Sequence, residues 1–227
     1  MNTRWRLLPA APRFLPLVGV LIGLIGGAVY WVGAQFWPTS VAVVLSMLVT
    51  AVLSAGEGAG LADGADLGAD AGAGAGARTG EGAPASNSGL LGLVFSLLMK
   101  FNALMALSAA NLPYPLPANI ALGVIMIAGH ASSRALIVSA LASPTRAASK
   151  PASVGDLGIA LGVGFAPAAL IGIPGLMGLA AAIVARILFI AYRRRMRSSI
   201  TAGDLDATQQ LTEVCFYLGA LATWAYV

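Results

Sequence analysis

The sequence predicts an all-α, polytopic membrane bundle of about six or seven transmembrane helices, on three observations. Of its 227 residues, 58% are hydrophobic and only 10% charged, where a soluble domain carries roughly a quarter charged residues. Apolar runs of about 20 residues recur along the chain, each long enough to cross a bilayer as a helix. These runs do not alternate apolar with polar positions as barrel strands do, and a helix satisfies its own backbone groups in lipid. Residues 1–227 therefore read as one integral membrane domain.

The first span is expected at Phe14–Phe36, after Arg4, Arg6 and Arg13. It is too long for a signal-peptide core and has no convincing Ala-x-Ala cleavage site, so it reads as retained. Span two follows at Ser40–Ala55, span three at Gly89–Ala110 and span four at Pro117–Leu141. Span five is expected at Asp156–Leu170, span six at Pro174–Tyr192 and span seven at Gln209–Val227. Spans two and five are short, which allows tilt or partial re-entry. A six-span arrangement, with Gly155–Gly178 as a broken hairpin, is the alternative.

Charge fixes the expected orientation. Arg78, Arg146, Lys150 and the cluster Arg193, Arg194, Arg195 and Arg197 fall on the same side as the N-terminus. The opposite loops, Trp37–Thr39, Asn111–Leu116 and Gly172–Pro174, carry no charge. The positive-inside rule then places the N-terminus and the long loops in the cytoplasm, with Val227 outside for seven spans. A net charge of +4 concentrated at span ends reads as a topology signal and not as a nucleic-acid surface. The single cysteine, Cys215, excludes an internal disulfide and reads as a small buried hydrophobe.

Residues 56–88 form a Gly/Ala-rich cytoplasmic loop with scattered acids, a composition that cannot pack a core. The loop reads either as a flexible linker or as a mobile segment that closes over phosphate groups. Its glycines match neither a Walker A loop nor a GxGxxG after a strand. It does hold Asp63 and Asp66, three residues apart. Carboxylates beside hydrocarbon are costly unless compensated, and a Mg²⁺ ion that also holds substrate phosphates takes one or two of them.

Four ionisable residues lie inside the spans: Lys100, His130, Arg134 and Glu213. At ~1.5 Å per residue from the cytoplasmic ends, Lys100 lies roughly 16 Å deep, Arg134 roughly 11 Å and Glu213 roughly 6 Å. His130 and Arg134 are four residues apart and share a helix face. The two cations could snorkel outward, and His130 could be a neutral ring bonded to a backbone carbonyl. The convergent reading is one polar cavity, since charges within spans usually face a bundle interior. Arg186 reads as a snorkelling anchor. Acids that hold a metal beside bases that hold anions suit a diphosphate-containing substrate.

Several segments in order resemble the cobalamin synthase family, the membrane-bound adenosylcobinamide-GDP ribazoletransferases. Arg13–Gly19 resembles the family's R-x-F-P-L-V-G opening, and Gly60-Leu61-Ala62-Asp63 with Asp66 resembles D-G-L-A-D-x-x-D. Lys100 with Ala103-Leu104, His130–Arg134, Thr201, Leu205 and Gln209–Val214 continue the similarity over nearly the whole chain. Departures fall at Glu57 and Ala59, where the family has His and Asp, and at Ala85 and Asn87, where a D-S-R motif keeps only Ser86. The family's T-G-D reads Thr201-Ala202-Gly203-Asp204.

The resemblance implies transfer of the adenosylcobinamide phosphate group to α-ribazole or its 5′-phosphate, with release of GMP. Mg²⁺ is the implied cofactor, on Asp63 and Asp66 with help from Asp204 or Glu57. Lys100 and Arg134 would offset diphosphate charge, and His130 would orient the acceptor or act as a base. Ser86, Arg134, Thr201 and Glu213 would bind substrate. The expected setting is the bacterial inner membrane, with adenosylcobinamide-GDP, α-ribazole and lipid as partners, no nucleic acid, and a homo-oligomer compatible with the sequence. A silent family member with a structural role and a small transporter are the other classes; no internal repeat supports the transporter.

Overall fold

The computed structural model describes residues 12–54, 87–110, 118–141, 153–196 and 202–224, and these are almost wholly helical. A short 3-10 turn, Pro12–Phe14, leads into α1 (Leu15–Phe36). Pro16 occupies the first turn of α1, where a missing N–H breaks no intrahelical bond. α2 (Thr39–Leu53) follows directly, then α3 (Asn87–Ala109), α4 (Ala118–Leu141), α5 (Val154–Ile171), α6 (Ile173–Met196) and α7 (Ala202–Trp224). The fold is an all-α polytopic membrane bundle.

Helix ends follow local chemistry. Ser153 caps α5: its Oγ accepts from the Asp156 N–H at 3.1 Å and donates to Asp156 Oδ2 at 2.7 Å, a reciprocal N-terminal arrangement. α5 ends at Gly172, whose φ of 81° makes it the one positive-φ residue among those described; glycine takes that conformation without a Cβ clash. α6 begins at the next residue. Two continuous helices of 18 and 24 residues therefore replace the broken-hairpin alternative for Gly155–Gly178.

Among the described residues, five helices are long and apolar enough to cross a membrane, and α2, at 15 residues, is a shorter apolar one. α4 is the hub. Its apolar window is 78% buried, against 22–39% for the other four, and it packs on α1, α5, α6 and α7. The outer helices turn large apolar side chains outward, among them Leu21, Leu24, Phe95, Leu98 and Leu188. Apolar exposure on that scale is what a lipid solvent accommodates.

Close approach of α1 to α4 requires glycine. Gly19, Gly23 and Gly27 recur every fourth residue on α1; a Cβ on Gly23 would meet the Ile127 Cα at 2.5 Å, and one on Gly27 the Gly123 Cα at 3.0 Å. Such small-residue seams are the usual way membrane helices bring backbones together. Ser46 of α2 adds a polar tie, donating to the Gly26 carbonyl at 2.7 Å.

The structure moves two expected boundaries. α6 continues to Met196, through the basic cluster, and α7 begins at Ala202 instead of Gln209. The cause is an ion pair between the two ends. Arg193, read as a cytoplasmic charge, is buried, with Nε and Nη2 each 2.5 Å from Asp204 Oδ1. Pairing lets two polar helix ends fold into the protein without bare charges. The earlier start puts Glu213 about 16 Å along α7, not roughly 6 Å. Arg186 also turns inward, donating from Nη2 to the Ser139 carbonyl of α4 at 2.8 Å.

Candidate active site

Lys100, His130, Arg134 and Glu213 come from three helices and meet in one buried cluster. Lys100 lies on α3, His130 and Arg134 on α4, and Glu213 on α7. Glu213 stands at the centre, fully buried. Its Oε1 receives Lys100 Nζ at 2.6 Å and the Tyr217 hydroxyl at 3.0 Å. Its Oε2 faces His130 Nδ1 at 3.3 Å. Arg134 Nη1 lies 3.4 Å from the same Nδ1 and donates to the His130 carbonyl at 3.3 Å. Arg134 Nη2 donates to Ser54 Oγ at 2.8 Å, tying the end of α2 to the cluster.

The packing around the cluster is tight. The Tyr217 ring lies where a side chain on Gly129 would stand: a Cβ there would be 2.6 Å from Tyr217 Cε1. Lys100 Nζ lies 6.0 Å from the centroid of that ring. The Gly19 position of α1 closes on the His130 carbonyl from the other side. Ser132 donates to the Gly164 carbonyl at 3.2 Å and Ser133 to the His130 carbonyl at 3.1 Å. Desolvating this many polar groups is expensive unless they are mutually satisfied. Three atoms are left over: among the described residues, His130 Nε2, Glu213 Oε2 and the Gln209 side-chain nitrogen are buried without a hydrogen-bond partner. Gln209 is one helical turn before Glu213, on the same face of α7.

The expected site residues thus divide into three sets. His130, Lys100, Arg134 and Glu213 are brought together. Asp204 is placed elsewhere, against Arg193 at the junction of α6 and α7. Asp63, Asp66, Glu57, Ser86 and Thr201 lie outside the described residues. Among the described residues, no group of three or more His, Cys, Asp or Glu side chains is gathered to hold a metal ion. Glu213 faces Lys100, and Asp204 faces Arg193.

Sequence reading missed Ser54, Gly129, Tyr217 and the unsatisfied Gln209. The four-residue spacing from Glu213 to Tyr217 was a usable signal, since it stacks the two side chains on one face. Nothing local marked Ser54, which is 80 residues from Arg134.

Comparison with known proteins shows the family. The cobalamin-5-phosphate synthase family profile matches residues 2–221, so the chain belongs to that family. The adenosylcobinamide-GDP ribazoletransferase of Leptothrix cholodnii is 34% identical, over 94% of this chain and 85% of its own. Proteins of the same name from Shewanella amazonensis and Shewanella oneidensis are 32% and 30% identical, over 95% and 92% of this chain and 85% and 82% of theirs. No solved structure matches.

Proposed function

We propose that this member of the cobalamin-5-phosphate synthase family is an adenosylcobinamide-GDP ribazoletransferase. It moves the adenosylcobinamide phosphate group onto α-ribazole or its 5′-phosphate and releases GMP, late in cobalamin biosynthesis. The observation that carries this reading is family membership over residues 2–221. The convergence of Lys100, His130, Arg134 and Glu213 in one buried cluster supports it.

The reaction joins a hydroxyl oxygen to phosphorus as the bond to the GMP oxygen breaks. Its barrier is lowered chiefly by positioning and by fixed positive charge near the phosphates. Arg134 and Lys100 supply positive charge at the bundle core, and Glu213 and Ser54 hold the two side chains in place. His130 offers a nitrogen with no hydrogen-bond partner among the described residues, suited to orienting the acceptor hydroxyl or taking its proton. Ser86, Arg134 and Thr201 remain the proposed substrate contacts; Glu213, whose oxygens face Lys100, Tyr217 and His130, acts through those side chains.

Mg²⁺ would sit on Asp63 and Asp66, with Glu57 as a supplementary ligand, and would neutralise diphosphate charge; Asp204, paired with Arg193, leaves that set. Helix alternation puts the ends at Ser54, Asn87, Leu141, Met196 and Ala202 on one side of the bundle. We assign that side to the cytoplasm and the protein to the bacterial inner membrane, on the loop charges.

The test is direct. Purified protein in lipid nanodiscs, given adenosylcobinamide-GDP, α-ribazole and Mg²⁺, should yield the cobalamin product and equimolar GMP. Absence of both products would overturn the assignment. It would favour a silent family member, a reading prompted by Glu57 and Ala59 at positions where the family has His and Asp.

A further inference from the structure

Glu213 uses its two oxygens differently. Oε1 is held by Lys100 Nζ at 2.6 Å and the Tyr217 hydroxyl at 3.0 Å. Oε2 is buried without a hydrogen-bond partner among the described residues, and His130 Nδ1 lies 3.3 Å from it. Nδ1 also has Arg134 Nη1 at 3.4 Å. A guanidinium can only donate, so the two neighbours ask opposite things of Nδ1: Arg134 wants a lone pair there, and Glu213 wants a proton.

Hydrogen-bond accounting decides between them. Arg134 Nη1 already donates to the His130 carbonyl at 3.3 Å, so it does not need Nδ1. A buried carboxylate oxygen left bare is costly, and a proton on Nδ1 removes that cost. The other ring nitrogen, Nε2, is buried and has no hydrogen-bond partner among the described residues. With the proton on Nδ1, Nε2 carries a lone pair inside the bundle core. The hydrogen bond to one imidazole nitrogen sets the role of the other.

We propose that Glu213 is a positioning residue, held in place by Tyr217 and Lys100, that keeps the His130 proton on Nδ1 and so presents Nε2 as the base for the acceptor hydroxyl. This deepens the transferase reading and rests on it for the identity of the hydroxyl. In the step, the hydroxyl proton passes to Nε2 and the hydroxyl oxygen bonds to the phosphorus on the cobinamide side. The bond from that phosphorus to the GMP oxygen breaks, and its electron pair leaves with GMP. The ring returns its proton to solvent when products depart. Tyr217 serves by occupying Oε1, which turns Oε2 toward the ring, and Gly129 serves by leaving room for Tyr217.

The chain has one histidine, so histidine-selective ¹⁵N labelling reports His130 alone. Full-length protein in lipid bilayers should show one protonated ring nitrogen, assigned to Nδ1, and one unprotonated, assigned to Nε2. In Glu213→Gln the proton should shift to Nε2 or distribute between the two. Its kcat should fall by about 10²-fold, the scale of a general base, with KM for adenosylcobinamide-GDP nearly unchanged, as for an interaction made only in the transition state. Tyr217→Phe should move both readouts in the same direction by less. A wild-type ring protonated on Nε2, or a Glu213→Gln spectrum identical to wild type, overturns the proposal. The wild-type spectrum needs no variant to fold. The Nδ1-protonated ring in a protein without transferase activity would refute the assigned reaction while upholding the Glu213–His130 arrangement. Full activity with an Nε2-protonated ring would do the reverse.

Discussion

Replacing Lys100 with Met removes one partner of a buried ion pair without emptying its space. Lys100 Nζ lies 2.6 Å from Glu213 Oε1, and the two side chains are 7% and 1% exposed. Water cannot compensate Glu213 when the ammonium goes, and breaking such a pair costs about 3–5 kcal/mol. Each kcal/mol moves the melting temperature of a chain this size by about 2–4 °C, so Lys100→Met should melt roughly 6–20 °C below wild type. Adding Glu213→Gln removes the orphaned charge while leaving Tyr217 an acceptor. The double variant should therefore recover more than half of the loss. Thermal unfolding in one detergent, followed by fluorescence, measures both. Transfer activity should stay absent in the double variant, separating fold from chemistry. A Lys100→Met protein that melts with wild type, or a double variant no better than the single, refutes the claim that the pair is buried and coupled.

Three further outcomes are expected. Gly129→Ala forces a Cβ to within 2.6 Å of the Tyr217 ring; overpacking should cost about 1–3 kcal/mol, and calorimetric melting together with a lowered kcat would register the displaced tyrosine. Gly23→Leu drives a side chain into the α4 backbone at Ile127, so the monodisperse fraction on size exclusion should collapse, with Gly23→Ala intermediate. Asp63→Asn should abolish Mg²⁺-dependent transfer in membranes at unchanged protein level, as should chelation of Mg²⁺ in wild type; a wild-type rate in Asp63→Asn would remove the metal assignment.

Most of the architecture was legible because it depends on one-dimensional patterns. An apolar run of about 20 residues can do little else than span a bilayer, and most of the helices fall within a few residues of where hydropathy puts them. Hydropathy failed at α7, whose first turns hold Asp204, Asp206, Gln209 and Gln210. Those residues look like a solvated loop until Arg193 is placed against Asp204. Arg193 and Arg186 look like anchors in a basic cluster until their bonds to Asp204 and to Ser139 of α4 are seen.

The candidate site was legible to the same degree and for the same reason. A charge inside an apolar run is conspicuous in one dimension, so Lys100, His130, Arg134 and Glu213 could be singled out before any folding. Their partners could not. Ser54 pairs with Arg134 across 80 residues, and Oε2 of Glu213 meets His130 across α4 and α7. Lipid's demand for apolar surface is written residue by residue, so most helix positions and the charges within them follow from composition and order. Which charge neutralises which, and which nitrogen of His130 is left open, depends on distances of about 3 Å between helices far apart in the chain, and these exist only once α3, α4 and α7 have packed.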